Sequence, residues 1–292
     1  MRSLISVMMP AYNAAATLPM AIASLQAQTY EHWELVLVDD GSKDGTGELI
    51  QRYDDERIRY IALDRNYGRG YARQVALENC IGDYLTVLDA DDWIYPYKIE
   101  RQLAALEEYQ DPDILLASSG MIVVNADDAP IGSFCPITCS DVVVVGPHRR
   151  LDIPDMLWIT SLIRMPAAKS GEFDGRMLRG QDKDFLLQIM YGKRFVALPE
   201  VTYVRRENLM GNRKKILSSH RFRRKRYRKH FTKDPLGATG GLLTSLIKTV
   251  LYRLLFLTGQ TSLIKRQRYN GVSSEEEAEY RLLYNTVRGY VQ

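Results

Sequence analysis

The sequence predicts an α/β fold: a mostly parallel sheet with helices on both faces, followed by a basic, helical C-terminal extension. Three observations predict it. Short apolar runs alternate with segments of helical period through the first 125 residues, the pattern of parallel crossovers. Each of the first four runs ends in polar or glycine residues. Positive charge is concentrated in one stretch after residue 204.

Leu4–Met9 is apolar and closed by Pro10, which reads as a buried strand. Thr17 to Gln28 carries Leu18, Ala21, Ile22 and Leu25 at helical spacing. Trp33–Asp39 is a second strand, and turn residues Asp40-Gly41-Ser42 lead into a helix with Leu49 and Ile50 on its apolar side. Ile58–Leu63 is a third strand and Tyr71–Cys80 a helix; Tyr84–Asp89 is a fourth strand and Tyr97–Tyr109 a helix. Apolar pairs and runs, rather than alternation, mark these strands, as expected of strands buried on both faces.

Beyond Asp113 the pattern loosens. Ile114–Ala117 and Met121–Val124 read as two strands around Gly120. Ser133–Pro147 reads as loop, with Val142–Val145 able to pair. Phe185–Met190 lies in a helix, and Val196–Leu198 and Val201–Val204 flank Pro199. Asp234–Gly241 reads as a breaker-rich linker before a helix over Leu242–Leu257. The expected organisation is a first half over 1–125, a second half of the same domain over 126–204, and a basic, amphipathic helical extension over 205–292.

The hydrophobic fraction of 46% and charged fraction of 26% are those of a globular chain, which excludes wholesale disorder and coiled coil. Three cysteines exclude a disulfide scaffold. Cys135 and Cys139 lack a second close pair to complete a zinc site. The net charge is +3, yet Arg205 to His230 holds twelve Lys/Arg against one acid, Glu207, leaving 27 basic and 35 acidic residues elsewhere. A basic segment on an acidic body calls for an anionic partner surface. The opening residues resemble a leader, but Pro10-Ala11-Tyr12-Asn13 interrupts the apolar run, and a first strand explains it better.

Placement of polar residues carries the functional signal. Tyr12 and Asn13 follow the first strand, Asp39 and Asp40 close the second, Asn66 to Arg73 follow the third, and Asp89, Asp91 and Asp92 close the fourth. In a doubly wound sheet these ends share one edge, where ligands bind at the switch in strand order. Asp89-Ala90-Asp91-Asp92 is the sharpest cluster. Adjacent carboxylates repel, and a hard divalent cation, Mg²⁺ or Mn²⁺, relieves the repulsion. The bland alternative is a cap for the helix that follows. Asp39 or Asp40 could accept a hydrogen bond from a nucleobase. Asp40 to Gly45 opens like a calcium loop, but Gln51 stands where a bidentate Glu is needed. Gly68-Arg69-Gly70-Tyr71-Ala72-Arg73 sits after the third strand and ends in Arg, unlike a dinucleotide fingerprint; its glycines can open a loop near phosphates, with Arg73 pairing diphosphate oxygens. Asp182 and Asp184 enter an apolar helix as caps or as a general base.

Val7 to Asn13, Gln28-Thr29-Tyr30, Glu34 to Ser42 and Leu88 to Asp92, in that order, resemble family 2 glycosyltransferases of the GT-A fold, a Rossmann-like α/β architecture. The resemblance continues through Gly171 to Asp174 and Gly180-Gln181-Asp182 and fades near Tyr203–Arg205. It implies a metal-dependent, inverting transferase using a nucleotide-diphospho-sugar, most often UDP-linked. By that resemblance Pro10, Ala11 and Tyr12 line the nucleoside pocket, and Asp39 or Asp40 reads the base. Arg73 lies near the nucleotide, Asp89 approaches ribose or sugar, Asp91 binds the metal, and Asp182 is the general base. Three positions depart from the family pattern: Gln181 replaces Glu, Gln74 replaces Asn, and Arg206-Glu207-Asn208 lacks a histidine.

The expected acceptor is a glycan or polyprenyl-linked hydroxyl in cell-surface polysaccharide synthesis, with the enzyme held peripherally on the cytoplasmic face of the plasma membrane. The anchor would be the basic segment and the helix bearing Leu242, Leu243, Leu246, Ile247, Val250, Leu251, Leu254 and Leu255. Two alternatives belong to other classes. A sugar-nucleotide pyrophosphorylase would need a glycine-rich basic loop after the first strand, which is absent; a nucleic-acid binder would use Arg213–Lys229 with Phe222, Tyr227 and Phe231, though no nucleic-acid motif is present.

Overall fold

A computed structural model describes residues 2–137, 140–152, 157–207, 213–258 and 270–291. Strands β1 (Ile5–Ala11), β2 (Trp33–Asp39), β3 (Ile58–Ala62) and β4 (Tyr84–Val87) alternate with helices α1 (Leu18–Gln26), α2 (Thr46–Ile50) and α3 (Arg69–Asn79). Then come β5 (Trp93–Ile94), α4 (Lys98–Glu108), β6 (Ile114–Val124), β7 (Pro130–Phe134), β8 (Val143–Val145) and β9 (Ser161–Arg164). Helices α5 (Met165–Lys169) and α6 (Gln181–Met190) precede β10 (Arg194–Arg206), and α7 (Arg213–Lys229), α8 (Pro235–Leu257) and α9 (Ser274–Arg288) close the chain.

The strands form one sheet in the order β3-β2-β1-β4-β9-β6-β10-β5, with β7 on β6 and β8 on β10. β3, β2, β1 and β4 are mutually parallel, and β6 and β10 are parallel to each other. β9 runs antiparallel between β4 and β6. All seven residues of β1 are buried, so helices and loops cover both faces there. α3 packs on β1 and β2, while α4 packs on β6, β9 and β10. The main core runs from Ile5 to Ala238, with Trp33, Trp158, Phe173 and Phe185 among its largest side chains.

The structure corrects several expectations. The two strands around Gly120 are one strand, β6, because Gly120 sits where a Cβ would lie 2.9 Å from the Phe134 carbonyl oxygen of β7. Part of the expected loop is strand, since Ser133–Phe134 belongs to β7; the valine run does pair, Val143–Val145 forming β8 on β10. Val196–Val204 is a single strand, bulged around Pro199. Asp234–Gly241 is not a linker. Asp234 caps α8, its carboxylate accepting from Gly237 N at 2.9 Å, and Pro235 opens the helix. Helix α9, not expected from the sequence, starts on a capping box between Ser273 and Glu276. Cys139 lies outside the described residues.

Candidate active site at the strand ends

Backbone hydrogen bonds continue past the strands and tie their ends together. Asp40 N donates to Ala11 O (2.8 Å), Leu63 N to Asp39 O (2.9 Å), and Leu88 N to Met8 O (3.1 Å). The C-terminal ends of β1 to β4 therefore share one edge. Strand order reverses there, since the chain adds β2 and β3 on one side of β1 and β4 on the other. This is where a doubly wound sheet leaves a crevice. Pro10 and Ala11 are buried at the end of β1, and Tyr12 emerges 49% exposed.

Asp39 and Asp40 are both buried. Asp39 accepts from Ser42 N (2.9 Å) and the Tyr60 hydroxyl (3.0 Å). Asp40 accepts from Tyr67 N (2.7 Å) and Gly68 N (2.8 Å). Burial pushes the Asp40 carboxyl above its ordinary range, against the pull of those two amides. Both carboxylates brace the loops beside the crevice, and each oxygen keeps a second lone pair. Gly41 lets these loops meet: its φ is +70°, and a Cβ there would lie 2.5 Å from the Arg65 carbonyl carbon.

After β4 the chain turns through Asp89, Asp91 and Asp92, whose carboxylate oxygens lie within 4.8 Å of one another. Their roles divide by partner. Asp92 is buried, accepting from the Tyr203 hydroxyl (2.7 Å) and Arg206 N (2.8 Å). Burial raises its carboxyl well above the ordinary range, and Asp91 and Asp89 add to this. Asp89 takes Arg73 at 3.2 Å and has Arg69 at 3.9 Å; burial pushes its carboxyl up, but the two guanidiniums outweigh this and hold it low. Asp91 opens to the crevice and, among the described residues, accepts no hydrogen bond from another residue's side chain. Desolvation by the surrounding chain and then the Asp89 charge raise its carboxyl. Three mutually repelling carboxylates, one free to ligate, are a donor set that suits a hard divalent cation.

Arg73 is almost fully buried, its guanidinium carbon 5.3 Å from the Trp158 ring centroid. Trp158 in turn packs edge-on to Phe173 and Phe185, so it is a wall of this site and part of the core. Arg69 was not singled out by sequence. Its guanidinium is held above its ordinary value chiefly by Asp89, with Asp91, Asp182 and Asp92 adding and burial opposing. Of these acids Asp89 is the one in ion-pair range, at 3.9 Å, while Asp182, from α6 in the second half of the chain, adds to the field at this guanidinium.

Asp182 and Asp184, two residues apart in the first turn of α6, have separate environments. Asp182 is partly exposed and accepts from Lys183 N at 2.8 Å. Asp184 is fully buried and bonded to His230 Nε2 (2.8 Å), Lys229 Nζ (2.6 Å) and Gln188 Nε2 (3.1 Å). Burial raises the Asp184 carboxyl, but His230 and Lys229 bring it below its ordinary range. Asp184 anchors α7 to α6. Tyr203 and Arg206 escaped sequence reasoning because their contacts with Asp92 span 111 and 114 residues of chain. A separate cleft of about 440 Å³, lined by Asp128, Tyr280, Tyr284 and Arg288 among others, holds none of the candidate residues.

Residues 6–120 match the model of the family described as Glycosyl transferase family 2. The chain is 36% identical over 135 residues to a "Putative teichuronic acid biosynthesis glycosyltransferase TuaG" of Bacillus subtilis, covering 46% of this chain and 52% of that protein. It is 36% identical over 103 residues to "UDP-Glc:alpha-D-GlcNAc-diphosphoundecaprenol beta-1,3-glucosyltransferase WfgD" of Escherichia coli, covering 35% and 41% respectively. The chain spans about half the length of the curated relatives it matches. Among solved structures, S. aureus TarS 1-349 in complex with UDP-GlcNAc superposes with a TM-score of 0.59 at 18% identity, covering 99% of this chain and 81% of that one. That likeness concerns the fold, which is GT-A. The ordered motifs, the matched model and the curated relatives together identify residues 6–120 of this chain as a glycosyltransferase family 2 domain.

Proposed function

We propose that the protein transfers a sugar, with inversion, from a nucleotide-diphospho-sugar to a hydroxyl of a glycan or polyprenyl-linked acceptor in cell-surface polysaccharide synthesis. The observation that carries this reading is the Asp89-Asp91-Asp92 cluster at the crevice where strand order reverses. The donor is UDP-linked in this reading, as the names of WfgD and of the TarS complex suggest for those proteins.

Residues 1–125 serve the donor, 126–204 the acceptor, and 205–292 the surface where the acceptor is met. Tyr12 offers its exposed ring to the nucleobase, with Pro10 and Ala11 forming the pocket floor. Asp39 or Asp40 reads the base through its remaining lone pairs. Arg73 holds Asp89 toward the ribose and sugar. Asp91 would hold Mg²⁺ or Mn²⁺, which when bound supplies charge neutralisation for the departing nucleoside diphosphate. Asp182 takes the proton of the acceptor hydroxyl as its oxygen bonds to the anomeric carbon, opposite the breaking bond to the diphosphate. A sugar hydroxyl is a weak nucleophile, and such base assistance contributes roughly 10²–10⁴-fold. The enzyme works at the cytoplasmic face of the plasma membrane, where a lipid-linked acceptor is presented.

The experiment is a panel of nucleotide sugars assayed for release of nucleoside diphosphate with Mn²⁺. Release of UDP from at least one UDP-sugar is expected. Release of pyrophosphate, or no turnover alongside salt-sensitive binding of nucleic acid, would replace this reading by one of its alternatives.

A further inference from the structure

Helix α8 has two unlike faces. Ala238, Ser245 and Thr249 are buried, and Arg224 of α7 donates to the Ser245 hydroxyl (3.3 Å) and the Thr249 hydroxyl (2.9 Å). The Tyr227 ring abuts Gly241. At about 100° per residue these positions form one stripe, pressed on α7. The opposite stripe carries Leu236, Leu243, Ile247, Val250, Leu254 and Leu257, each between 53% and 88% exposed. Lys248 and Arg253 fall on the two flanks, closer to the α7 side, and neither interrupts the apolar stripe.

Helix α7 fixes this arrangement to the catalytic domain. Arg223 and Arg226 pair with Asp152, Lys225 with Asp174, and Lys229 with Asp184. The basic segment is therefore only partly a solvent face. Arg213, Arg221 and Arg228 remain exposed on α7, and Asp234 is the one acid in the sequence between Asn208 and Ser274. An apolar stripe bordered by cations and almost no acids matches the charge of an anionic lipid surface.

By length and composition α8 could cross a membrane. The α7 seam argues against it. A spanning α8 would have to leave Arg224 or carry the strongly charged α7 into hydrocarbon, where unpaired charge is costly.

We infer that α8 lies in the plane of an anionic membrane, its Leu236–Leu257 stripe in the acyl boundary, while α7 links it to α6, the helix that bears Asp182. This deepens the proposed function and rests on it for the acceptor, but the docking itself is independent of catalysis. Pairing of α7 with Asp184 and with the Asp152 and Asp174 loops would hold the acceptor side of the crevice at a set distance from the lipid surface.

The test is co-sedimentation of the full chain with phosphatidylcholine vesicles, with and without about one-third phosphatidylglycerol. It compares wild type with Ile247→Glu/Leu254→Glu and with Arg221→Glu/Arg228→Glu. Wild type should pellet with the anionic vesicles at low salt, and partitioning should fall roughly tenfold at high salt. Both double variants should lose roughly tenfold or more while keeping wild-type circular dichroism and UDP binding. Three results would overturn the inference: no pelleting of wild type at low salt, unaltered pelleting of the Ile247→Glu/Leu254→Glu variant, or a wild-type dimer in solution that this variant converts to monomer. Failure here with UDP release intact would remove the docking surface and leave the transferase reading standing.

Discussion

The Tyr203 hydroxyl donates to Asp92 at 2.7 Å and accepts from the backbone N of Asp89 at 3.3 Å, so one buried phenol on β10 pins both ends of the acidic loop after β4. Neither residue faces the crevice as Asp91 does, yet together they set where Asp91 points. Tyr203→Phe leaves a buried carboxylate oxygen and an amide without that partner. A loss of about 1–3 kcal/mol in urea unfolding is expected. Mn²⁺-dependent UDP binding should weaken roughly 10-fold or more, the scale of losses behind metal ligands. Unchanged UDP affinity would mean that the loop keeps its shape without Tyr203.

Asp182 and Asp184 should separate cleanly. Asp182→Asn is expected to keep stability within about 1 kcal/mol and donor affinity near normal while lowering turnover by two to four orders of magnitude, roughly the worth of a general base. Asp184→Asn removes the charge that holds His230 and Lys229, and a loss of about 3 kcal/mol is expected from breaking a buried pair. Donor hydrolysis and chemical denaturation, measured on both variants, read the two effects. Less than a tenfold loss of turnover in Asp182→Asn would take the base role from it.

Lys98 gives a pH signature. It is fully buried, donating to Thr86 Oγ1 and Gln102 Oε1 at 2.8 Å each, and burial pushes its ammonium down to about 7 from 10.5. Between those values the unfolded chain binds a proton that the folded chain does not. Stability should therefore rise with pH from about 7 towards 9, with a slope of up to about 1.4 kcal/mol per unit from this group, and the gain should vanish below 7. Lys98→Met should flatten the rise. Parallel stability curves for wild type and variant would show that Lys98 keeps its proton when folded.

The first half of the chain was legible in the sequence for a physical reason. Strands buried on both faces must be continuous apolar runs, and the polar residues that end them must lie at one edge once the strands are parallel. β1, β2 and β4 follow this rule, while β3, at the sheet edge, is only partly buried and carries Arg59. The second half mixes antiparallel strands with bulges, where local signals mislead. Gly120 looks like a breaker but serves close approach to β7, and Pro199 bends a strand without ending it. Asp234-Pro235 was a helix start hidden by the glycines behind it. In the site, acids at strand ends were readable; what holds them was not. Tyr203 and Arg206 reach Asp92 from more than a hundred residues away, and Arg69 looks like a surface charge until Asp89 is seen 3.9 Å from it.

The most direct test of the central claim is titration calorimetry of UDP with wild type and with Asp91→Ala, each with Mn²⁺ and with excess chelator. Wild type should bind UDP with Mn²⁺ and lose at least tenfold in affinity under chelation, and Asp91→Ala, folded as wild type, should bind weakly in both conditions. Equal UDP affinity across all four arms would contradict a diphosphate site built on the acid cluster at the end of β4.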